Sequence, residues 1–133
     1  MKILVVEDEM RIRKLIRMIL EKEGHSVWEA ADGIEAQRLL TEVPFDVLVT
    51  DLVMPRLGGV ELVMRIRRTA SELRVIFVSG YVNMAASSFK NLTDAFGVAK
   101  CLQKPFQVSE LVAAVYGPEI RRNIGMISTS PGA

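Results

Sequence analysis

The sequence predicts an α/β fold: a doubly wound sheet of five parallel strands with five helices on its two faces, in three layers. Short apolar runs rich in β-branched residues occur at Ile3-Val6, Val47-Val49 and Val75-Val78, and each is too short for a helix. Segments with a helical period lie between them. Because strict alternation of strand and helix requires crossover connections, we expect the sheet to be parallel.

Two weaker strands complete the predicted sheet. One is Ser26-Glu29, which follows Gly24, a residue type that often ends a helix. The other is Ala99-Leu102, just before Lys104 and Pro105. Five such strands are expected in the flavodoxin-like order 2-1-3-4-5, in which ligands bind beyond the carboxyl ends of strands 1 and 3.

The helices are predicted from apolar periodicity. The first helix carries five apolar residues at helical spacing, namely Ile12, Leu15, Ile16, Ile19 and Leu20. The third and fifth helices repeat the period with Leu62, Val63 and Ile66, and with Val108, Leu111, Val112 and Val115. We expect these stripes to pack against the sheet. The fourth helix, around Met84-Leu92, is weakly apolar and is expected to be the loosest.

Length and charge limit the organisation and the function classes. The 133 residues are expected to form one domain, 1–117, followed by a C-terminal tail or linker stub at 118–133. With 17 Lys and Arg against 16 Asp and Glu, the net charge of +1 provides no field for binding nucleic acid or an anionic membrane. A single cysteine, no signal-peptide pattern and no long apolar span predict a cytoplasmic protein.

Chemically active side chains follow four of the predicted strands. They are Glu7 and Asp8 after strand 1, Asp51 after strand 3, Ser79 after strand 4 and Lys104 after strand 5. Carboxylates this close repel one another, and a bound divalent cation relieves the repulsion. An all-oxygen site suits Mg2+, with Mn2+ as a substitute, whereas zinc is disfavoured because Cys101 and His25 have no ligand-spaced partners.

With a cation bound, the Asp51 carboxylate can act as a nucleophile toward phosphorus. Lys104 and Ser79 can each donate a hydrogen bond to a phosphoryl oxygen. Pro105 biases Lys104 toward an extended backbone and makes a cis peptide bond accessible. The lysine is therefore expected to point at the site.

Each of these residues, taken singly, has a simpler interpretation. Asp8 or Glu9 could lie near the N-terminus of the first helix as a capping residue. Asp51 and Ser79 could belong to turns, and Lys104 could be a surface charge. The simpler interpretation weakens because all of them occur together at the ends of four strands.

Four segments, in order along the chain, resemble the receiver domains of two-component response regulators. The acidic opening motif of that family is matched by ILVVEDE, and its phosphoacceptor segment by FDVLVTDLVMPRLGG. Its hydroxyl-bearing strand is matched by VIFVSGY, and its lysine-proline segment by CLQKPF. The resemblance covers about residues 2–116, and both order and spacing agree.

The resemblance implies a phosphorylation switch rather than an enzyme acting on external substrates. The implied Mg2+ ligands are Glu7, Asp8, Asp51 and the backbone carbonyl of Val53. Asp51 would accept a phosphoryl group from the phosphohistidine of a histidine kinase or phosphotransfer protein, and Ser79 and Lys104 would contact that group. The surface of helix 4, strand 5 and helix 5 would then change for a downstream protein target. Phosphorylation-dependent dimerisation is left open.

The sequence departs from the family pattern three residues before the lysine. Cys101 occupies the place where the family usually has a Tyr or Phe that turns inward on activation. Tyr81, two residues past Ser79, lies at a position that usually tunes phosphoryl lifetime. Val53, two residues past Asp51, is an apolar residue at another rate-tuning position. The switching step is therefore the least defined part of the prediction.

The remaining reactive or charged residues favour structural roles. His25, the only histidine, follows a glycine in a turn and is expected to be a solvated loop residue. Cys101 is expected to be a small apolar strand residue rather than a redox sensor. Three arginines, Arg65, Arg67 and Arg68, are expected late in helix 3, where cations meet the helix dipole favourably, and they are poor support for DNA binding.

Two other functions compete with the switch. The Cys101 substitution allows a degenerate receiver that acts as a protein-interaction scaffold, although the intact acidic site argues against it. A phosphatase or phosphotransferase using Asp51 ranks lowest, because the sequence offers no evident cap or substrate domain. Residues 117–133 are too few for a DNA-binding helix-turn-helix module with its own core.

Overall fold

The computed structural model describes residues 1–70, 72–80, 91 and 94–117. The five strands are β1 (Lys2–Val6), β2 (Ser26–Ala30), β3 (Val47–Asp51), β4 (Arg74–Ser79) and β5 (Lys100–Gln103). The helices between them are α1 (Met10–Lys22), α2 (Gly33–Glu42) and α3 (Gly59–Ile66). Helical residues also occur at 91 and 94–96, and at 108–117, which we call the C-terminal helix.

The strands form one parallel sheet in the order β2-β1-β3-β4-β5. The predicted α/β fold with flavodoxin-like strand order is thereby confirmed. The register places Val6 of β1 opposite Thr50 of β3, and Asp51 of β3 opposite Val78 of β4. Residues that follow β1, β3 and β4 therefore meet at one edge of the sheet.

Alternate side chains of each central strand enter two separate cores. In β1, Ile3 and Val5 face α1 and the C-terminal helix, whereas Leu4 and Val6 face α2 and α3. All four side chains are fully buried. A strand buried on both faces explains why the predicted apolar runs are continuous rather than alternating, and the two cores give the predicted three layers.

Two apolar residues of the predicted helical stripes are exposed instead of buried. Leu15 is 44% exposed, because α1 turns Ile16, Ile19 and Leu20 toward the sheet and Leu15 lies beside that face. Val108 is 56% exposed in the first turn of the C-terminal helix, whereas Leu111 and Val115 are buried. The buried residues of α3, Leu62, Val63 and Ile66, agree with the prediction.

His25 is buried, so its prediction as a solvated loop residue is wrong. The N-terminal ammonium of Met1 donates to Nδ1 of His25 at 3.2 Å, and the His25 and Tyr116 ring centroids are 5.5 Å apart. Burial and the neighbouring ammonium lower the pKa of His25, against a smaller opposing effect of Glu23. The imidazole is part of the packing at the amino-terminal edge of the sheet.

The arginines of the third helix also differ from the prediction. α3 ends at Ile66, so only Arg65 lies in its last turn, and Arg67 is the C-cap residue. Among the described residues, the Arg67 guanidinium donates to the backbone carbonyls of Ala70, Leu73, Phe96 and Gly97. Arg67 therefore ties the end of α3 to the segment before β5.

Several predictions fall outside the described residues. The fourth helix, predicted around Met84-Leu92, is described only at residue 91, where the conformation is helical. The tail at 118–133 is likewise outside, and the predicted boundary after residue 117 stays a prediction. Among the described residues, no helix has both the length and the apolar character needed to cross a membrane.

Candidate functional site

Three carboxyl groups meet where β1 and β3 end. Glu7 follows β1, and its backbone N–H donates to the Ala30 carbonyl at 3.1 Å, extending the pairing with β2. Asp8 is exposed in the turn before α1, and Asp51 is the last residue of β3. One oxygen of each carboxyl lies within 4.8 Å of the others. Three carboxyl groups in so small a volume form a candidate site for a divalent cation.

Lys104 joins two of these carboxyl groups. Its Nζ donates to Glu7 Oε1 at 2.8 Å and to Asp51 Oδ2 at 3.0 Å. Its backbone N–H donates to the Ser79 carbonyl at 2.7 Å, and the Lys104-Pro105 peptide bond is cis. The lysine is therefore held by its backbone at the end of β4 and points into the site.

Burial and the neighbouring Asp51 carboxyl disfavour the charged form of Glu7. It is only 2% exposed, and its pKa is raised to about 7, first by burial and then by the adjacent Asp51 carboxyl, with Lys104 opposing both. For Lys104, burial acts to lower the pKa, but the hydrogen bonds to Glu7 and Asp51 outweigh it and raise the pKa. One cation shared by two carboxyl groups does not neutralise the site.

One oxygen of Glu7 is left without a partner. Within the described part of the chain, Glu7 Oε2 is buried and accepts no hydrogen bond. A buried carboxylate oxygen without a donor is costly, and a cation contacting it would remove that cost. The donor set of Glu7, Asp8 and Asp51 is all oxygen, as Mg2+ and Mn2+ prefer. These residues therefore fit such an ion.

The loop after β3 holds Asp51 in place. The Val53 N–H donates to Asp51 Oδ1 at 3.2 Å, and the Gly59 N–H donates to the Leu52 carbonyl at 3.0 Å. A Cβ at Gly59 would overlap the carbonyl oxygen of Asp51, so this approach of α3 to β3 requires glycine. Val53 itself is half exposed at the rim of the site.

The remaining predicted residues lie at different places. Ser79 ends β4 at the same edge of the sheet as Asp51 and is almost fully buried. Cys101 lies in β5 opposite Phe77, packed against the α2 and α3 side of the core, and burial raises the pKa of its thiol, with a small opposing effect of Lys100. A half-buried thiol with a raised pKa agrees with its interpretation as an apolar strand residue. Tyr81 lies outside the described residues.

The simpler interpretation of the acids as helix caps agrees with the structure in position only, since Asp8 and Glu9 directly precede α1. Glu9 is the N-cap residue of α1, but its side chain makes no capping hydrogen bond in the described structure. Sequence reasoning also missed two residues next to the site, Arg13 and Glu29. The available signal was the cluster of basic residues on α1, Arg13, Lys14 and Arg17. A cation of this cluster that becomes buried requires an acidic partner.

Comparison with known proteins identifies the family. The family model for the response regulator receiver domain matches residues 3–116. The response regulator receiver protein CpdR of Brucella abortus (strain 2308) is 37% identical over 111 residues, which is 84% of this chain and 90% of CpdR. The transcriptional regulatory protein ResD of Bacillus subtilis (strain 168) is also 37% identical, over 86% of this chain but only 46% of ResD.

Solved structures agree with the sequence comparison. A response regulator receiver domain protein from Clostridium thermocellum superposes with a TM-score of 0.79 at 30% identity, covering 94% of this chain and 98% of that one. The chemotaxis response regulator CheY4 of Vibrio cholerae gives a TM-score of 0.78 at 28% identity, covering 86% and 94%. The chain therefore belongs to the response regulator receiver domain family of two-component signalling systems.

Proposed function

We propose that Asp51 accepts a phosphoryl group from the phosphohistidine of a histidine kinase or phosphotransfer protein, in a reaction that requires Mg2+. The observation that carries this proposal is the placement of Lys104 Nζ between Glu7 Oε1 and Asp51 Oδ2, inside a cluster of three carboxyl groups. This arrangement supplies a nucleophile, a fixed cation beside it and ligands for a second cation.

The metal ligands proposed are Glu7, Asp8, Asp51 and the backbone carbonyl of Val53. Bound there, Mg2+ would neutralise charge on the carboxylates and on the incoming phosphoryl oxygens. Mn2+ could replace it, since both ions take oxygen ligands. The buried Oε2 of Glu7, which accepts no hydrogen bond from the described residues, supports this assignment.

The chain's own groups divide the remaining work. A carboxylate oxygen of Asp51 attacks phosphorus, the bond from phosphorus to the donor nitrogen breaks, and the acyl phosphate forms on Asp51. The Val53 N–H, 3.2 Å from Asp51 Oδ1, helps to orient the carboxylate. Lys104 pairs with one phosphoryl oxygen and the Ser79 hydroxyl donates to another. Positioning and charge neutralisation are thus the main contributions of the protein.

The proposed consequence is a change in the surface formed by the fourth helix, β5 and the C-terminal helix, which a downstream protein target in the cytoplasm then binds. Cys101 lies in this region in place of an aromatic residue, half-buried in β5. The ring movement usual in the family therefore has no aromatic side chain at this position, and Tyr81 and Val53 are the proposed tuning positions. A phosphorylation-dependent dimer is one form that the output could take.

The test is phosphorylation by a small donor. The protein is incubated with Mg2+ and acetyl phosphate, and its intact mass is measured for wild type, Asp51→Asn and the control Asp46→Asn. Asp46 lies at the opposite edge of the sheet, where its Oδ2 accepts the Lys2 N–H at 2.8 Å. We expect one phosphoryl group on wild type and on Asp46→Asn, and none on Asp51→Asn.

Two other results would favour the competing functions. Wild type that stays unmodified even with a competent kinase would indicate a scaffold and contradict the switch. Catalytic turnover of unrelated phosphate esters would indicate a phosphatase that uses Asp51.

A further inference from the structure

A second charged cluster lies beside the proposed metal site, between β2 and α1. Glu29 of β2 accepts hydrogen bonds from Arg13 Nε at 2.9 Å, Lys14 Nζ at 3.0 Å and Arg17 Nη1 at 2.7 Å. Burial by itself would raise the pKa of Glu29, but the three cations outweigh it and lower the pKa to about 2. Glu29 is therefore a fixed negative charge.

Only one of the three cations also reaches the proposed site. Arg13 Nη1 donates to the backbone carbonyl of Glu7 at 2.9 Å, and the Arg13 side chain is 14% exposed. Lys14 is far more exposed, and the second contact of Arg17 is with Glu21 at 3.2 Å, away from the site. Arg13 thus connects Glu29 to the peptide that joins Glu7 and Asp8.

That peptide unit joins Glu7 and Asp8, which supply two of the three carboxyl groups of the site. The Glu7 carbonyl and the Asp8 N–H belong to one planar unit, so fixing the carbonyl fixes the direction in which Asp8 leaves β1. On the other side, the Glu7 N–H is held by the Ala30 carbonyl at 3.1 Å. The N–H and the carbonyl of Glu7 are therefore both linked to β2 by hydrogen bonds. The N–H is bonded directly, and the carbonyl is linked through Arg13 and Glu29.

We infer that Arg13, oriented by Glu29, is a positioning residue for divalent-cation binding by Glu7, Asp8 and Asp51. The inference rests on the proposed function, because it assumes that these acids bind the ion. Residues that orient metal ligands through hydrogen bonds set affinity because they hold the ligands in the bound geometry before the ion arrives.

The sign of the effect separates positioning from simple electrostatics. Arg13 is a cation near a cation site, so its charge alone disfavours binding of Mg2+. Replacing it with glutamine would strengthen binding if charge were its only influence. A positioning role requires the opposite result, weaker binding, and the two accounts therefore predict changes of opposite sign.

The test measures the Mg2+ dissociation constant by isothermal titration calorimetry, together with thermal stability. We expect Arg13→Gln and Arg13→Lys to weaken Mg2+ binding by about tenfold, the size typical of residues that orient metal ligands. Lysine keeps the charge opposite Glu29 but lacks the planar fork that spans Glu29 and the Glu7 carbonyl. Arg13→Lys should therefore keep most of the stability while it loses affinity.

Arg17→Gln and Lys14→Gln are the matched controls, since each removes a cation from Glu29 without touching Glu7. Both should bind Mg2+ as tightly as wild type or slightly more tightly. Wild-type affinity in Arg13→Lys and Arg13→Gln would overturn the positioning role and leave the proposed function standing, as would equal weakening in the two controls. Absence of Mg2+ binding by wild type would overturn both.

Discussion

Two glutamates at neighbouring strands of this protein, the buried Glu7 and the partly buried Glu29, have opposite electrostatic environments. Glu29 of β2 is surrounded by three cations, and its pKa is lowered to about 2. Glu7, which follows β1, shares one lysine with Asp51, and its pKa is raised to about 7 by burial and by that second carboxyl. Glu29 is fully compensated within the fold, whereas Glu7 is not.

The difference separates a structural charge from a functional one. A carboxylate that the protein itself neutralises stabilises the fold and gains little from a ligand. A buried carboxylate that is repelled by a second carboxylate is stabilised by any cation that binds both. Strongly shifted pKa values cluster at functional sites for that reason. Arg13 joins the two environments, because it contacts both Glu29 and the Glu7 carbonyl.

The largest effect is expected when the shared cation is removed. Lys104→Met should slow phosphorylation by acetyl phosphate by about 100-fold, as for loss of one donor to a charge that develops during reaction. Mg2+ binding should persist, because removal of a positive charge favours a second cation. Intact mass followed over time measures the rate and calorimetry the affinity. A rate within a factor of a few of wild type would contradict the role of Lys104.

Neutralising each glutamate should affect stability differently. Glu29→Gln leaves Arg13 without its partly buried ion-pair partner and should cost about 2 kcal/mol of unfolding free energy. Glu7→Gln removes a buried charge that is only half compensated and should cost about 0 kcal/mol or stabilise the fold. Urea denaturation of both variants without Mg2+ measures the difference. Equal losses of unfolding free energy would show that the two glutamates do not differ in their effect on stability.

The same contrast predicts opposite pH dependences without Mg2+. Glu7 binds its proton more tightly in the folded state than in the unfolded state, so its effect on stability becomes more favourable by about 3 kcal/mol as pH falls from about 7 to 4.5. Glu29 holds its proton less tightly when folded, so its contribution is complete above pH 4.5 and is lost as pH falls toward 2.

Comparison of each wild-type unfolding curve with that of the matching Gln variant isolates the two contributions. The difference between wild type and Glu7→Gln should change between pH 7 and 4.5, while that between wild type and Glu29→Gln stays flat. A flat Glu7 difference across this window would mean that Glu7 is ionised throughout.

The smallest effect is expected at the exposed ion pair next to the Glu29 cluster. Glu21 pairs with Arg17 at 3.2 Å, four residues apart on α1, and both side chains are substantially exposed. Glu21→Gln should cost only about 0.3 kcal/mol, as for other exposed helical ion pairs. Denaturation in low and high salt measures this cost. A loss comparable to that of Glu29→Gln would show that burial does not set the strength of these pairs.

Most of the fold was predictable because its signals are local. Each central strand is a short apolar run, and the helices repeat at their own period. The position of the site followed from topology, since parallel strands place their carboxyl ends at one edge. Glu7 and Lys104 are 97 positions apart, yet the expected convergence of strand ends brings them within 2.8 Å.

What the sequence did not reveal depends on contacts between distant segments. His25 is buried because the N-terminus and Tyr116 pack around it, and nothing in its neighbouring residues indicates either contact. Arg67 looks like a surface cation in the sequence, but among the described residues the carbonyls of Ala70, Leu73, Phe96 and Gly97 accept its hydrogen bonds. Glu29 is a single acidic residue in a strand that the sequence predicts only weakly. The packing of α1 against β2 shows that three cations pair with it.

The proposed phosphorylation of Asp51 is tested by identifying the residue that carries the phosphoryl group. Wild type is phosphorylated with acetyl phosphate and Mg2+, treated with borohydride to reduce the acyl phosphate to the alcohol, and analysed by peptide mass spectrometry. Phosphoryl transfer to Asp51 predicts homoserine at position 51 and no homoserine when Mg2+ is chelated. Homoserine at another position, or a phosphoryl group without any homoserine, would contradict it.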